Sequence, residues 1–353
     1  MKPITTLTEF LESGGIVLAF SDMGRRITDI AREAFIDFEL TDAPYPLPLQ
    51  RQAWFALTIS DPGDRQIDPM IWFIRFPLDE QGKLQQAARD GFMYLLVENL
   101  GKNLQAGENE ARMQTALQDN PYAFQPKPER LAALHARMTA ALGNPASRFY
   151  DHAKAYFDGK PGWEQWSFIG YQGIADLAAR VGQDDNAERI AASIPQLPPP
   201  PLEAICHCLE NEAIPVNIAQ ALADRAMRTL EQPSADPQVL TALVRGISQS
   251  ASPAIRDDLI LRLLEHPVSS RTDILAAIAG RAWECLTDAS LRGRYLERLA
   301  VNESGQDFFN RILSDLLFLP ITRVPLQAGL REAQRSAVLS NAIGEFFTAV
   351  REA

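Results

Sequence analysis

The chain has 353 residues, of which 46% are hydrophobic, and its 45 acidic and 34 basic side chains give a formal net charge of -11. This length predicts about two domains, and the apolar content is sufficient for packed cores. The negative charge repels phosphate backbones and anionic lipids, which argues against nucleic acid or a membrane surface as the partner.

The cysteine content and the N-terminus bear on the compartment. Three cysteines cannot form a disulfide framework, and they fit a reducing environment. The first residues lack the apolar run of a signal peptide, and no window approaches the roughly 20 apolar residues of a membrane span. We therefore expect a cytoplasmic protein.

Residues 1–120 predict an α+β module built on a small antiparallel sheet. Apolar and aromatic runs of strand length predict three strands, over 16–20, 53–59 and 70–76. Between the first two strands, apolar residues near helical spacing predict a helix over 25–40. A second, amphipathic helix over 83–100 is long enough to cover one face of the sheet.

Residues 121–162 predict a helical connector to the second domain. A proline-rich stretch from Asn120 to Pro128 interrupts the helical pattern. Weak helical patterns lie on both sides of it, over 111–117, 128–142 and 147–157. We expect the domain boundary in this part of the chain.

Residues 163–353 predict an all-α array of about five helical hairpins. An apolar triad recurs at intervals of 38, 35 and 34 residues: Leu202, Ile205 and Leu209; Leu240, Leu243 and Ile247; Leu275, Ile278 and Ala282; Phe309, Ile312 and Leu316. The first three triads are each followed by a second apolar stripe, which marks the partner helix of the hairpin. The last unit has a longer join over 319–325 and a final helix over 326–350, as expected of a capping element.

Cys206, His207 and Cys208 form the only cluster of soft metal ligands in the sequence. Helix neighbours one and two apart point about 100° and 200° apart, so they do not converge on one ion, and packing is the favoured role of both cysteines. Glycine-rich phosphate-binding loops are missing, and the other histidines lack nucleophilic partners at motif spacing. We therefore expect no metal, no cofactor and no catalytic residues.

Polar residues at a strand-to-helix junction are the first candidate binding group. Asp22, Arg25 and Arg26 combine a carboxylate with two guanidiniums where backbone N–H groups favour an anion. A turn with solvated arginines or an internal salt bridge is the alternative interpretation. Asp79 and Glu80 at a second helix start resemble this group, with stabilisation of the helix dipole as the alternative.

Trp54 and Trp72, on two predicted strands, are the remaining candidate binding residues. Adjacent aromatic residues on a strand point to opposite faces, which favours core packing or a protein interface over a base-stacking platform. The candidate ligand- or partner-binding residues are therefore Asp22, Arg25, Arg26, Trp54, Trp72, Asp79, Glu80 and Arg89.

Three stretches carry a resemblance to a known family: Asp22 to Arg26, Ala53-Trp54, and Ile71 to Gly82. There the chain resembles an uncharacterised gammaproteobacterial domain-of-unknown-function family of similar length. This resemblance implies no activity, cofactor or site residue. The repeat period separately resembles HEAT repeats, which implies protein binding by analogy. Tetratricopeptide-like packing is the alternative, because the units are shorter than usual for HEAT repeats.

The sequence predicts a non-catalytic cytoplasmic scaffold or adaptor that binds another protein through the helical array and the N-terminal module. One alternative is a small-ligand regulator or enzyme with a pocket where the sheet meets the helices of the module. That hypothesis requires Asp22, Arg25, Arg26, Asp79 and Arg89 to converge on one site. A second alternative is a HEAT-like nucleic-acid binder, which requires a basic groove formed by the arginines of the array.

Overall fold

Two compact units make up the chain, Met1–Lys127 (the module) and Pro128–Ala353 (the array). In the computed structural model, the described residues are 6–13, 15–60, 69–102, 117 and 120–352. The predicted helix over 111–117 lies almost wholly outside them. Among the described residues, no helix has both the length and the apolar content needed to cross a membrane.

In its described part, the module is built on a four-stranded antiparallel sheet in the order β2-β1-β3-β4. The strands are β1 (Val17–Asp22), β2 (Thr28–Ile30), β3 (Gln52–Ser60) and β4 (Met70–Pro77). The helices are α1 (Leu7–Glu12), α2 (Arg32–Glu39) and α3 (Gln86–Lys102). The predicted α+β module and its three strands are confirmed.

The predicted helix over 25–40 is wrong in its first half, because that half contains β2. β2 pairs with β1, with Phe20 opposite Ile30, and α2 begins only at Arg32. Three residues are too few to show a strand period. The hydrogen bonds of β2 also come from a partner strand, so the local pattern does not indicate them.

Aromatic side chains form the core between one face of the sheet and two helices. Phe35 of α2 stacks on Phe20, with ring centroids 3.8 Å apart, and meets Phe55 edge-on at 5.0 Å. Phe92 of α3 meets Phe76 edge-on at 5.6 Å. Strand alternation places Phe20, Phe55 and Phe76 on one side of the sheet, so α2 and α3 cover the same face.

A carboxylate from α2 holds the N-terminus of α1. Glu39 accepts hydrogen bonds from the N–H groups of Leu7 and Thr8 at 2.9 and 3.2 Å, and from the Thr8 hydroxyl. Thr6 accepts from the N–H of Glu9 at 3.0 Å. These contacts occupy donors that the first turn of a helix leaves without intrahelical partners.

The array consists of helical hairpins in two layers. Layer A contains α4 (Pro128–Ala141), α6 (Tyr171–Ala179), α8 (Pro199–Leu209), α10 (Pro237–Ile247), α12 (Thr272–Arg281) and α14 (Gln306–Phe318). Layer B contains α5 (Tyr150–Phe157), α7 (Asn186–Ser193), α9 (Val216–Leu230), α11 (Pro253–Glu265), α13 (Ala289–Ala300), α15 (Pro320–Gly329) and α16 (Ala337–Glu352). Successive helices of layer A pack against each other, and so do α5, α7, α9, α11 and α13 of layer B.

The repeat period of the sequence builds the core of the array. Leu202, Leu240 and Leu275 occupy the same position in α8, α10 and α12, and all three are at most 1% exposed. Tyr295 of α13 reaches the neighbouring layer, where its hydroxyl donates to the carbonyl of Leu275 at 3.0 Å. The predicted helical hairpins are therefore present. α4 and α5, from the predicted connector, pack against α6 and α7.

The end of the array differs from the single helix predicted over 326–350. Pro320 starts α15 in the segment predicted as a join, and proline suits the first helical position. The chain then breaks before α16, where the Ser336 hydroxyl accepts from the N–H of Leu339 at 3.0 Å. Glu297 of α13 accepts from the N–H and hydroxyl of Ser336 at 2.8 and 2.6 Å. The helix break before α16 depends on this contact between residues far apart in the sequence, so the apolar pattern over 326–350 does not predict it.

Candidate functional site

The structure places the polar group after β1 inside the module. Asp22 is fully buried, and its carboxylate lies 2.9 Å from the Tyr45 hydroxyl and accepts from the N–H of Arg25 at 3.1 Å. Arg25 is also fully buried, and its Nε donates to the carbonyl of Pro48 at 2.9 Å. Arg26 is 7% exposed. These contacts hold the end of β1 against the following loop.

The second polar group of the module makes contacts of its own. The Asp79 carboxylate accepts from the N–H groups of Gln81 and Lys83 at 2.8 and 2.9 Å, which closes a tight turn around the exposed Glu80. Arg89 donates from Nη1 to the carbonyl of Glu39 at 2.9 Å. Asp22, Asp79 and Arg89 thus contact the end of a strand, a turn and the end of a helix respectively, and their convergence on a ligand stays a prediction.

The two candidate tryptophans lie on opposite faces of the sheet. Trp72 is 3% exposed on the core face, whereas Trp54 is half-buried on the other face. There Trp54 meets Phe124 edge-on at 5.0 Å, and the Arg75 guanidinium lies 5.4 Å from its ring centroid. Phe73 also meets Phe124, at 5.8 Å. The second face of the sheet therefore gathers three aromatic rings and one cation.

Two adjoining cavities lie on layer A of the array. The first, of about 450 Å³, has walls from α8, α10 and α12 that include Glu203, His207, Gln238, Arg245, Asp273 and Arg281. The second, of about 350 Å³, has more apolar walls that include Trp166, Ile169, Tyr171, Ile174, Pro200 and Pro201. Glu203 and His207 line both cavities, so the two form one groove, which we call the layer-A groove.

One carboxylate beside this groove contacts three arginines. Glu210, directly after α8, is 1% exposed. Arg245 donates from Nε to one of its oxygens and from Nη2 to the other, the second bond at 2.9 Å. Arg281 Nε and Arg130 Nη1 lie 3.0 and 3.5 Å from Glu210 Oε1. Side chains from α4, α10 and α12 thus meet at the end of α8, and we call these four residues the Glu210 cluster.

The charges of these arginines shift the pKa values of Glu210 and His207. Burial raises the pKa of Glu210, but the charges of Arg281, Arg245 and Arg130 outweigh it and lower the pKa to about 2. Glu210 is therefore ionised at neutral pH, and three arginines against one carboxylate leave the Glu210 cluster positively charged. Burial, together with Arg245 and Arg281, lowers the pKa of His207 to about 4, so its imidazole is neutral.

The two cysteines flanking His207 belong to the core, as predicted. Cys206 and Cys208 are 0% and 2% exposed, and the Cys208 thiol donates to the Tyr171 hydroxyl at 3.6 Å. Burial raises the pKa of both thiols, that of Cys208 to about 12, which disfavours a reactive thiolate. Within the part of the chain that the structure describes, no three His, Cys, Asp or Glu side chains are grouped to hold a metal ion.

Sequence reasoning did not identify the Glu210 cluster, although one signal for it was present. Glu210 and Arg245 are 35 residues apart, and Arg281 follows 36 residues later, close to the apolar period. Applying the repeat period to polar positions would therefore have aligned these side chains at one end of neighbouring helices. Arg130 lies 80 residues before Glu210, and nothing in the local pattern indicates that contact.

Comparison with known proteins identifies a family. The model of a family described as a protein of unknown function (DUF3549) matches residues 2–347. No curated protein and no solved structure matches the chain. The match covers nearly the whole chain, so the resemblance seen in the sequence is confirmed.

Proposed function

The chain belongs to the DUF3549 family, and we propose that it is a non-catalytic adaptor that binds an extended peptide segment of another protein in the layer-A groove. The supporting observation is the continuity of this groove across α6, α8, α10 and α12. Neighbouring helices pack roughly 8–10 Å apart, so four helices span about 25–30 Å. An extended peptide of about eight residues has that length.

The walls of the groove suit a peptide with both apolar and charged side chains. Trp166, Tyr171 and Pro200 offer apolar surface at one end, and Arg245 and Asp273 offer charge at the other. Aromatic rings and arginines contribute a large share of the binding energy in protein interfaces. The carboxylates of Glu203 and Asp273 repel a phosphate backbone, which supports a protein partner over nucleic acid.

The array and the cysteines support the remaining parts of the proposal. Stacked hairpins offer the long surface that helical-repeat proteins use to bind partners, and a HEAT-like arrangement is the description we favour. The buried thiols require no oxidising compartment, which supports a cytoplasmic location.

A substitution that blocks the groove without touching the core tests the proposal. Ala276 is exposed on α12 and lines the groove, so Ala276→Trp fills it. Ala254 is exposed on α11 of layer B, which makes Ala254→Trp the matched control. We expect tagged wild type and Ala254→Trp to recover a stoichiometric protein partner from the native cell by affinity purification and mass spectrometry.

Ala276→Trp is expected to lose that partner while it keeps the circular dichroism spectrum and urea midpoint of the wild type. Recovery of the same partner at the same yield with Ala276→Trp would contradict the proposal. So would the absence of any stoichiometric protein in the wild-type sample.

A further inference from the structure

The repeat register places three side chains with N–H donors near the C-terminal ends of neighbouring layer-A helices. His207 and Arg245 each lie five residues after the first leucine of their apolar triad, and Arg281 lies six residues after the first leucine of its own. All three side chains line the first cavity of the layer-A groove. We call this part of the groove the arginine end.

A shared contact brings the two arginines together although they belong to different helices. Arg245 Nη2 and Arg281 Nε lie 2.9 and 3.0 Å from the same oxygen, Oε1 of Glu210. Glu210 carries one negative charge, and Arg130 contacts it as well. The positive charge of the Glu210 cluster therefore exceeds its negative charge, and Arg245 and Arg281 carry it to the wall of the groove.

One guanidinium nitrogen of Arg245 takes no part in the contacts with Glu210. Nε and Nη2 bind the carboxylate, whereas Nη1 makes no hydrogen bond to any residue that the structure describes. The Arg245 and Arg281 side chains keep 24% and 19% of their surface exposed. The neutral imidazole of His207 adds one N–H donor. The arginine end thus offers both positive charge and hydrogen-bond donors to an occupant.

The two carboxylates of the same cavity lie closer to the other end of the helices. Glu203 precedes His207 by four residues and Asp273 precedes Arg281 by eight, which corresponds to roughly 6 and 12 Å along a helix. Within the described part of the chain, neither carboxylate forms an ion pair with Arg245 or Arg281. Arg245 lowers the pKa of Glu203, but burial and Asp236 outweigh it and raise that pKa. These carboxylates therefore do not replace an acidic ligand at the arginine end.

We infer that the arginine end binds an acidic side chain, Asp or Glu, of the partner segment. A hydrogen bond between a guanidinium and a carboxylate is about twice as strong as one between neutral groups. The apolar cavity also includes His207 in its wall, so an apolar side chain of the same segment binds next to the acidic one. This inference rests on the proposed function, and it adds which side chain the groove selects.

A display library of random eight-residue segments, selected on the immobilised full-length protein, tests this inference. Wild type should enrich Asp or Glu at one position of the selected segments by at least about fivefold over the unselected library. Ala276→Trp, which fills the groove, should not enrich these segments. The dependence on an open groove tests the proposed function, and the acidic position tests the inference.

Thr241 offers a matched pair of variants that leave the Glu210 cluster unchanged. It is half-buried, lines the groove and precedes Arg245 by four residues. Thr241→Glu therefore places a carboxylate beside the Arg245 guanidinium on the same helix face, whereas Thr241→Gln adds a side chain of nearly the same size without the charge. Selection on Thr241→Glu should lose the acidic preference, and selection on Thr241→Gln should keep it. Circular dichroism checks that both variants are folded.

A binding measurement on the wild type requires no substitution in the protein. One selected segment is compared with its counterpart in which the acidic residue is replaced by the corresponding amide residue. Both peptides are acetylated and amidated, so the side chain at that position is the group that changes. Isothermal titration calorimetry should give a Kd about tenfold higher for the amide counterpart, with a smaller difference at high salt.

Segments that require the open groove but show no acidic preference would overturn the inference and leave the proposed function intact. Equal Kd values for the two peptides would do the same. An acidic preference that persists in Thr241→Glu, or is lost in Thr241→Gln, would contradict the assignment to the arginine end. Equal selection by wild type and Ala276→Trp, or no enrichment by wild type, would remove the proposed function and the inference together.

Discussion

The module and the array each bury a glutamate, and they stabilise it in different ways. Glu39 of the module accepts hydrogen bonds from Leu7 and Thr8, which are uncharged donors on one short helix. Glu210 of the array contacts three guanidiniums from three other helices. The two side chains are equally inaccessible, at 1% exposure each.

The pKa values record this difference. Burial raises the pKa of Glu39, and the hydrogen bonds from Thr8 and Leu7 offset only part of that effect. The three arginines lower the pKa of Glu210 to about 2 although burial opposes them. The charge of Arg89 also lowers the pKa of Glu39, but all the hydrogen bonds to its carboxylate described above come from uncharged donors. The Glu210 cluster carries more positive charge than one carboxylate requires, and two of its arginines line the layer-A groove.

A charge placed in the core of the array should have the largest effect. Leu243→Asp and Ile278→Asp each introduce an unpaired carboxylate at a fully buried position. The loss of burial costs about 1.5–3 kcal/mol and the buried charge several more, so both variants should unfold the array. Circular dichroism and hydrogen exchange of residues 199–281 provide the measurement. Native helicity and protection in either variant would mean that the repeat register is misassigned.

Neutralising the two buried glutamates compares the units directly. Glu210→Gln leaves three arginines without their shared carboxylate and should cost about 3–5 kcal/mol of unfolding free energy. Glu39→Gln keeps one acceptor for α1 and should cost about 1 kcal/mol. Urea denaturation of the full chain measures both, with the exposed Glu188→Gln as control. Equal losses for the two variants would contradict the different roles assigned to these residues.

Acid should affect the two glutamates in opposite directions. The folded pKa of Glu210 is below that of an unfolded glutamate, so its contribution is present above about pH 4.5 and is lost as the pH falls towards about 2. The folded pKa of Glu39 is raised, so its contribution is present at low pH and is lost as the pH rises through that pKa. Hydrogen exchange from about pH 6 to about pH 3, corrected for the intrinsic rate, should show α8 losing protection relative to α1. Loss of protection in α1 first would reverse this assignment.

A smaller effect is expected at Gly246 of α10, which packs against Cys206 of α8. A Cβ on Gly246 would lie 2.8 Å from the Cys206 sulfur, so Gly246→Ala should cost about 1–3 kcal/mol. Cys206→Ala removes that sulfur. The double variant should therefore recover part of the loss when its urea midpoint is compared with that of Gly246→Ala. An unchanged midpoint in Gly246→Ala, or no recovery in the double variant, would show that this contact does not limit the packing of the two helices.

Sequence patterns predicted a helix or strand correctly where the element is long and its own residues carry the apolar pattern. The stripes through Leu202, Leu240 and Leu275 predicted the array, and the runs at 53–59 and 70–76 predicted β3 and β4. β2 was not predicted, because it has three residues and depends on pairing with β1. The break before α16 was not predicted either, because Glu297 fixes it from another helix.

The candidate site was harder to predict than the fold. The polar residues that stand out in the sequence of the module, such as Asp22 and Asp79, make contacts with nearby backbone and side chains. The groove depends instead on the register between helices, which brings Glu210, Arg245 and Arg281 together over 35 residues or more. The apolar repeat already gives the register between the helices. The contact between Glu210 and the arginines can be predicted only when the charged positions are aligned by the same repeat.

Site-specific photo-crosslinking in the native cell most directly tests the central claim, that the layer-A groove holds the partner. A benzophenone residue is placed at Gln238, which is exposed and lines the layer-A groove, or at Tyr94, which is 69% exposed on α3 of the module. We predict one discrete protein adduct from position 238 and none of comparable yield from position 94. An adduct from position 94 alone, or equal adducts from both positions, would contradict the account.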